Sequence, residues 1–143
     1  MFTKCQRSDT LREILFRGKR VDNGEWIYGY LIFSEDYIFD YSERIDIPYV
    51  IPIDNFNLKD YREYRVIPET IGQYTGLEDK NGVEVYEGDK VMYDYEWTKP
   101  NEIGIITWNK DTASFQIKGH IPSSSMKHLD RMKVIGNIFD EKE

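Results

Sequence analysis

Apolar and polar positions along this chain recur with the period of strands far more often than with that of helices. Residues 13–18, Glu-Ile-Leu-Phe-Arg-Gly, form a short apolar run closed by Gly18, and Val21-Asp22-Asn23-Gly24 carries the turn chemistry that leads into a second run. The pattern predicts a hairpin. Between Glu25 and Phe33, Trp26, Tyr28, Tyr30 and Ile32 fall on one face and Ile27, Leu31 and Phe33 on the other, which predicts a strand partly covered on both sides. Gly29 inside that run predicts a bulge or the close approach of another backbone.

Residues 34–65 have extended character around Tyr37-Ile38-Phe39 and Ile45-Asp46-Ile47, but Pro48 and Pro52 remove ladder donors and confine such segments to edges or loops. The expectation is an irregular insertion with one helical turn around Leu58, Tyr61 and Arg62. Beyond it the pattern sharpens. Asp79-Lys80-Asn81-Gly82 separates two apolar stretches with Asp at the first turn position and Gly at the last, a hairpin signal. Val91, Tyr93, Tyr95 and Trp97 then alternate with Lys90, Met92, Asp94 and Glu96, as on a strand with one buried face. Two more runs follow, Ile103–Trp108 and Ala113–Ile117, joined by the turn at Asn109-Lys110-Asp111. Residues 71–118 thus predict a small, strongly bent antiparallel sheet or barrel. Ser123, Ser124 or Ser125 would cap a short C-terminal helix through Met126, Leu129 and Met132, and Val134–Phe139 would return to the sheet. Residues 1–12 read as a flexible arm, and 13–139 as a single β-rich domain.

Composition narrows the class. The 143 residues are 40% hydrophobic and 31% charged, which suits one globular domain. No apolar run approaches the roughly 20 residues that cross a bilayer. The start, Met1-Phe2-Thr3-Lys4-Cys5, lacks the apolar centre of a signal peptide, so the expectation is a cytoplasmic protein with no membrane partner. A lone cysteine, Cys5, makes neither an internal disulfide nor a cysteine-based metal site. Aromatic residues make up 15% of the chain, with 11 Tyr, and they favour sheet surfaces. The net charge of −7 disfavours nucleic acid, whose phosphates need a concentrated basic surface. Charge is nevertheless segregated. Lys4, Arg7, Arg12, Arg17, Lys19 and Arg20 crowd the first 20 residues, while residues 21–46 are acid-rich, so the two segments attract.

Candidate chemistry is sparse. Asp79, Glu84, Glu87 and Asp89 lie close in sequence, but an EF-hand places Gly sixth in its loop and Gly82 is fourth, so these acids read as a solvated turn. His120 and His128 are the only histidines and form no zinc-type pair, and Ser123–Ser125 have no nucleophile-elbow glycines. No catalytic set, metal or cofactor is therefore expected. Tyr93, Tyr95 and Trp97, with Trp108 on the next strand, suit either a core or a binding groove, and alternation favours core. Tyr37, Tyr41 and Tyr49, in the irregular acidic stretch, are the candidates for an exposed interaction surface.

The run Thr70-Ile71-Gly72-Gln73-Tyr74-Thr75-Gly76-Leu77-Glu78-Asp79-Lys80-Asn81-Gly82-Val83-Glu84-Val85-Tyr86-Glu87-Gly88-Asp89-Lys90-Val91 resembles the hallmark segment of the YopX family of phage and prophage proteins. Phe16-Arg17-Gly18-Lys19 with Trp26-Ile27-Tyr28-Gly29 is similar to that family's opening, and Val134-Ile135-Gly136-Asn137-Ile138 to its close. The resemblance implies a mainly β fold: an SH3-like small antiparallel barrel near residues 71–118 with an N-terminal β-rich elaboration. It brings no established activity, substrate or catalytic residue, and Gly76, Gly82 and Gly88 read as structural turn positions. The functional expectation is a non-enzymatic phage or prophage accessory protein in the bacterial cytoplasm. It would bind a protein or its own copies through residues 34–65. The alternative is a nucleic-acid-binding small barrel, its aromatics, Trp97 and Trp108 among them, stacking on bases while the basic first 20 residues contact phosphate.

Overall fold

The computed structural model describes residues 12–38, 43–53, 58–94, 102–119 and 126–140. Its strands are β1 (Phe16–Lys19), β2 (Trp26–Ile38), β3 (Glu43–Pro52), β4 (Gly72–Glu78), β5 (Glu84–Tyr86), β6 (Asp89–Tyr93), β7 (Gly104–Asn109), β8 (Ser114–Gly119) and β9 (Met132–Asn137). They form two antiparallel sheets, ordered β3-β2-β1-β4-β5 and β8-β7-β6-β9. Among the described residues no helix is long and apolar enough to cross a membrane.

The first hairpin follows its sequence signals. β1 pairs with β2 from Phe16–Gly29 to Lys19–Trp26, and Gly24 closes the turn at φ 71°. Gly29 sits where a Cβ would fall 1.9 Å from the Ile51 carbonyl oxygen, so only a glycine admits β3 at this distance.

Two expectations need correction here. The segment after Phe33 is not irregular: β2 runs on to Ile38 and pairs with β3 over ten residue pairs, from Gly29–Pro52 to Ile38–Glu43. Pro48 and Pro52 are tolerated because β3 is the edge strand of its sheet, where a missing N–H leaves no ladder bond unmade. The outer side of β3 is covered in part, since Val66 N donates to Pro48 O at 3.2 Å. Tyr49, expected on the surface, is 6% exposed and belongs to a core of Ile27, Ile47, Val50, Ile51, Tyr64 and Val66. The 3-10 stretch Leu58–Tyr64 lays Tyr61 edge-on against Tyr49, with ring centroids 5.0 Å apart, and so turns an apparent surface ring into a buried one.

Of the bent antiparallel sheet or SH3-like barrel expected for residues 71–118, the structure has antiparallel sheet and no closed barrel. The sheets are open, and the strands of this interval divide between them. β4 pairs with β1 on one side and β5 on the other, whereas β6, β7 and β8 join β9, which lies beyond the interval. The exchange occurs at Gly88, with φ 92° between β5 and β6. A side chain there would both strain the backbone and meet the Phe139 ring at 2.8 Å. The C-terminal helix is only a 3-10 turn, Met126–Arg131, because β9 begins at the very next residue. Its Leu129 fills the second core with Val91, Tyr93, Ile106, Ile117 and Met132, to which β5 contributes Val85.

Candidate functional site

The two sheets meet where β1, β5, β6 and β9 converge, and the site is built on β1. Arg17 lies in the buried middle of that short strand, where a charged residue is found only when it is paired. Arg17 Nη2 contacts Asp89 Oδ1 at 2.8 Å across the junction, with side-chain exposures of 6% and 3%. The same nitrogen donates to the Glu87 carbonyl at 3.4 Å. Arg17 Nε has no hydrogen-bond partner among the described residues. The Trp26 and Tyr86 rings, whose centroids lie 4.6 and 5.1 Å from Arg17 Cζ, offset the charge there with their π faces.

Asp89 faces the sequence-local backbone with its other oxygen, Oδ2 accepting from Tyr86 N at 2.8 Å. Burial pushes its carboxyl above the ordinary range, while the Tyr86 amide and Arg17 pull it back. Tyr86 is also shifted upward, first by burial and then by the Glu84 carboxylate, to which its hydroxyl donates at 3.1 Å. Tyr28 and Tyr74 each stand 5.3 Å from the Tyr86 ring. Beside them opens a cleft of about 360 Å³, walled by Arg17, Tyr28, Tyr86 and Asp89 on one side and by Val134 and Asn137 of β9 on the other.

A second clamp binds the C-terminal residues to the first hairpin. Lys19 Nζ reaches Asp140 Oδ1 at 2.5 Å, and Asp140 Oδ2 accepts from Trp26 Nε1 and Asn137 Nδ2, both at 2.8 Å. Burial alone would raise the Asp140 carboxyl, but these donors outweigh it and hold the pKa at about 2.

Asp79 has a structural place. Its Oδ1 accepts from Asn81 N at 2.8 Å and Val83 N at 2.9 Å, closing the hairpin in which Gly82 N donates to Asp79 O. Its Oδ2 accepts from Val134 N at 2.9 Å, fastening the hairpin tip to β9 of the other sheet. Gly76, Gly82 and Gly88 have φ of 85°, 77° and 92°. Among the described residues no cluster of three or more His, Cys, Asp or Glu residues is arranged to hold a metal ion.

The aromatic candidates do not assemble into one surface. Tyr93 is core, while Trp108 is 47% exposed and stacks edge-on against Phe115 of β8, beyond the stretch of β7 that meets β6. Tyr41, Tyr95 and Trp97 lie outside the described residues, as do residues 1–11, His120 and Ser123–Ser125. Tyr37 lies on β2 opposite Arg44. Reading residues by local pattern missed the Arg17–Asp89 pair, because Arg17 stood in a basic run and Asp89 in an acidic one. A signal was present all the same: the segments quoted for the family resemblance carry Arg17, Trp26, Asp89 and Asn137, and these four residues meet here.

Fold and site define an antiparallel two-sheet β protein whose sheets are joined by a buried ion pair. The chain belongs to the YopX protein family, whose model matches residues 15–143. Its fold is similar to that in the crystal structure of protein EF1440 from Enterococcus faecalis, with a TM-score of 0.52 and 22% identity, covering 90% of this chain and 94% of that one. No curated protein matches the chain.

Proposed function

We propose that this chain is a non-enzymatic binding module, a phage or prophage accessory protein that engages another protein or a second copy of itself. One observation carries the reading: Tyr28 and Tyr30 project from the same face of β2, 44% and 41% exposed, and Tyr28 continues into the wall of the junction cleft. Tyrosine supplies broad amphipathic contact area at low entropic cost, which suits a protein interface. This moves the contact surface from residues 34–65 to the first half of β2, because Tyr49 is occupied in the core. The non-enzymatic reading is supported by the engagement of Asp79 and Asp89 with backbone amides and Arg17.

The test is affinity capture from nuclease-treated cells together with light scattering on the purified chain, comparing wild type with Tyr30→Glu and with Val83→Glu, since Val83 lines the same junction cleft as Tyr28. Both positions are exposed, so melting curves should persist. Loss of a partner or of self-association in both variants is the expected result. Binding unaffected by either substitution would sink the assignment of this face, and reproducible turnover of a substrate by the purified chain would sink the non-enzymatic reading.

A further inference from the structure

A separate cleft of about 520 Å³ opens between the β2–β3 ribbon and the 3-10 stretch Leu58–Tyr64. Its lining combines Ile47 and Tyr49 with Ser34, Tyr61 and two arginines, Arg62 and Arg65. The backbone beneath those arginines is fixed. Arg65 forms a bridge with Tyr49, its carbonyl accepts from Val21 N at 2.9 Å, and its amide donates to Arg62 O at 3.4 Å. Glu35 also lines the cleft, but its carboxylate pairs with Arg44 at 3.0 Å. Among the described residues no carboxylate lies within ion-pair distance of Arg62 or Arg65, in contrast to Arg17, Arg20 and Arg44. In a chain of net charge −7, this is a donor-rich concavity whose cations have no internal counter-ion among those residues.

We propose that this cleft binds a small phosphate-bearing molecule, with Arg62 and Arg65 gripping the phosphate. Guanidinium forks and hydroxyls match an oxyanion that offers three terminal oxygens and close to two negative charges at neutral pH. A carboxylate offers only two oxygens to the same donors. The volume lies in the range of small-molecule pockets and exceeds a bare phosphate, so the group esterified to it has room over the Tyr49 and Tyr61 rings. Asp60 and Glu63 flank Arg62 and line the adjoining depression, and they repel a long polyanion, which selects a compact ligand over a nucleic-acid backbone.

The experiment is a proton–nitrogen NMR titration of the full chain with inorganic phosphate and, in a parallel arm, with a nucleoside monophosphate. Saturable shifts confined to Ser34, Ile47, Tyr49 and residues 61–65 are expected from both probes, with a Kd on the order of 1 mM. Arg62→Ser and Arg65→Ser should each weaken binding about tenfold, whereas Arg131→Ser, on the other sheet's 3-10 turn, should leave it unchanged. Both cleft arginines are exposed, and the amide spectrum of each variant reports directly whether it stays folded. Shifts that fail to saturate, or an equal loss in Arg131→Ser, would overturn the proposal. Tighter binding of a single-stranded oligonucleotide than of the monophosphate would replace the compact ligand with a nucleic acid.

Discussion

Replacing Asp89 with Asn tests the junction most directly, because it removes one charge while keeping shape and an acceptor for the Tyr86 amide. Solvent cannot screen what remains, since the Arg17 side chain is only 6% exposed. Breaking a buried pair from one side costs about 3–5 kcal/mol. Arg17 retains the Glu87 carbonyl and two ring faces, which places the loss near the lower end, about 3 kcal/mol. At roughly 2–4 °C per kcal/mol for a chain of this size, Tm falls by about 10 °C. Arg17→Met orphans the other partner and behaves differently with pH. Burial already raises the Asp89 carboxyl, and without the guanidinium it rises further, so the folded state holds a proton that the unfolded chain releases near its ordinary value of about 3.9. The stability of Arg17→Met is therefore greatest below that value and is lost as pH rises through the raised folded pKa. Urea unfolding of both single variants and the double variant, repeated across pH, measures the coupling; the double variant should lose less than the sum of the singles by about 1–3 kcal/mol. An Asp89→Asn loss under about 1 kcal/mol, or strict additivity, would refute the view that this pair joins the sheets.

Two further outcomes are expected. Gly29→Ala places a Cβ on the Ile51 carbonyl and should cost about 1–3 kcal/mol or more in a thermal melt, with an unchanged Tm arguing against the close β2–β3 approach. Asp140, held at about 2, contributes stability that is present above its ordinary value of about 3.9 and lost as pH falls from there through about 2. Asp140→Asn should flatten that acid limb of a Tm-against-pH curve, and a limb identical to wild type would show that the Lys19 clamp does not form.

What the chain declares locally is the set of strands and turns. The Asn23-Gly24 and Asp79–Gly82 turns, the glycine at 29 and the buried alternation of Val91 and Tyr93 depend on period-two patterning and on φ angles that few residues accept, and both are written within a few neighbouring positions. The family resemblance added which segments matter, and the two prolines left an edge or a loop open, of which the structure shows the edge. Sheet membership was not local. β4 and β5 join β1 because Gly88 redirects the chain and Phe139 packs over it, a contact between distant segments that periodicity does not encode. The same holds for Tyr49, whose burial depends on Tyr61 folding back over β3, and for Arg17 and Asp89, each a surface charge by its neighbours. Burial and charge pairing are properties of the space between elements, so only the packed structure decided which polar residues form the junction and which rings stay exposed.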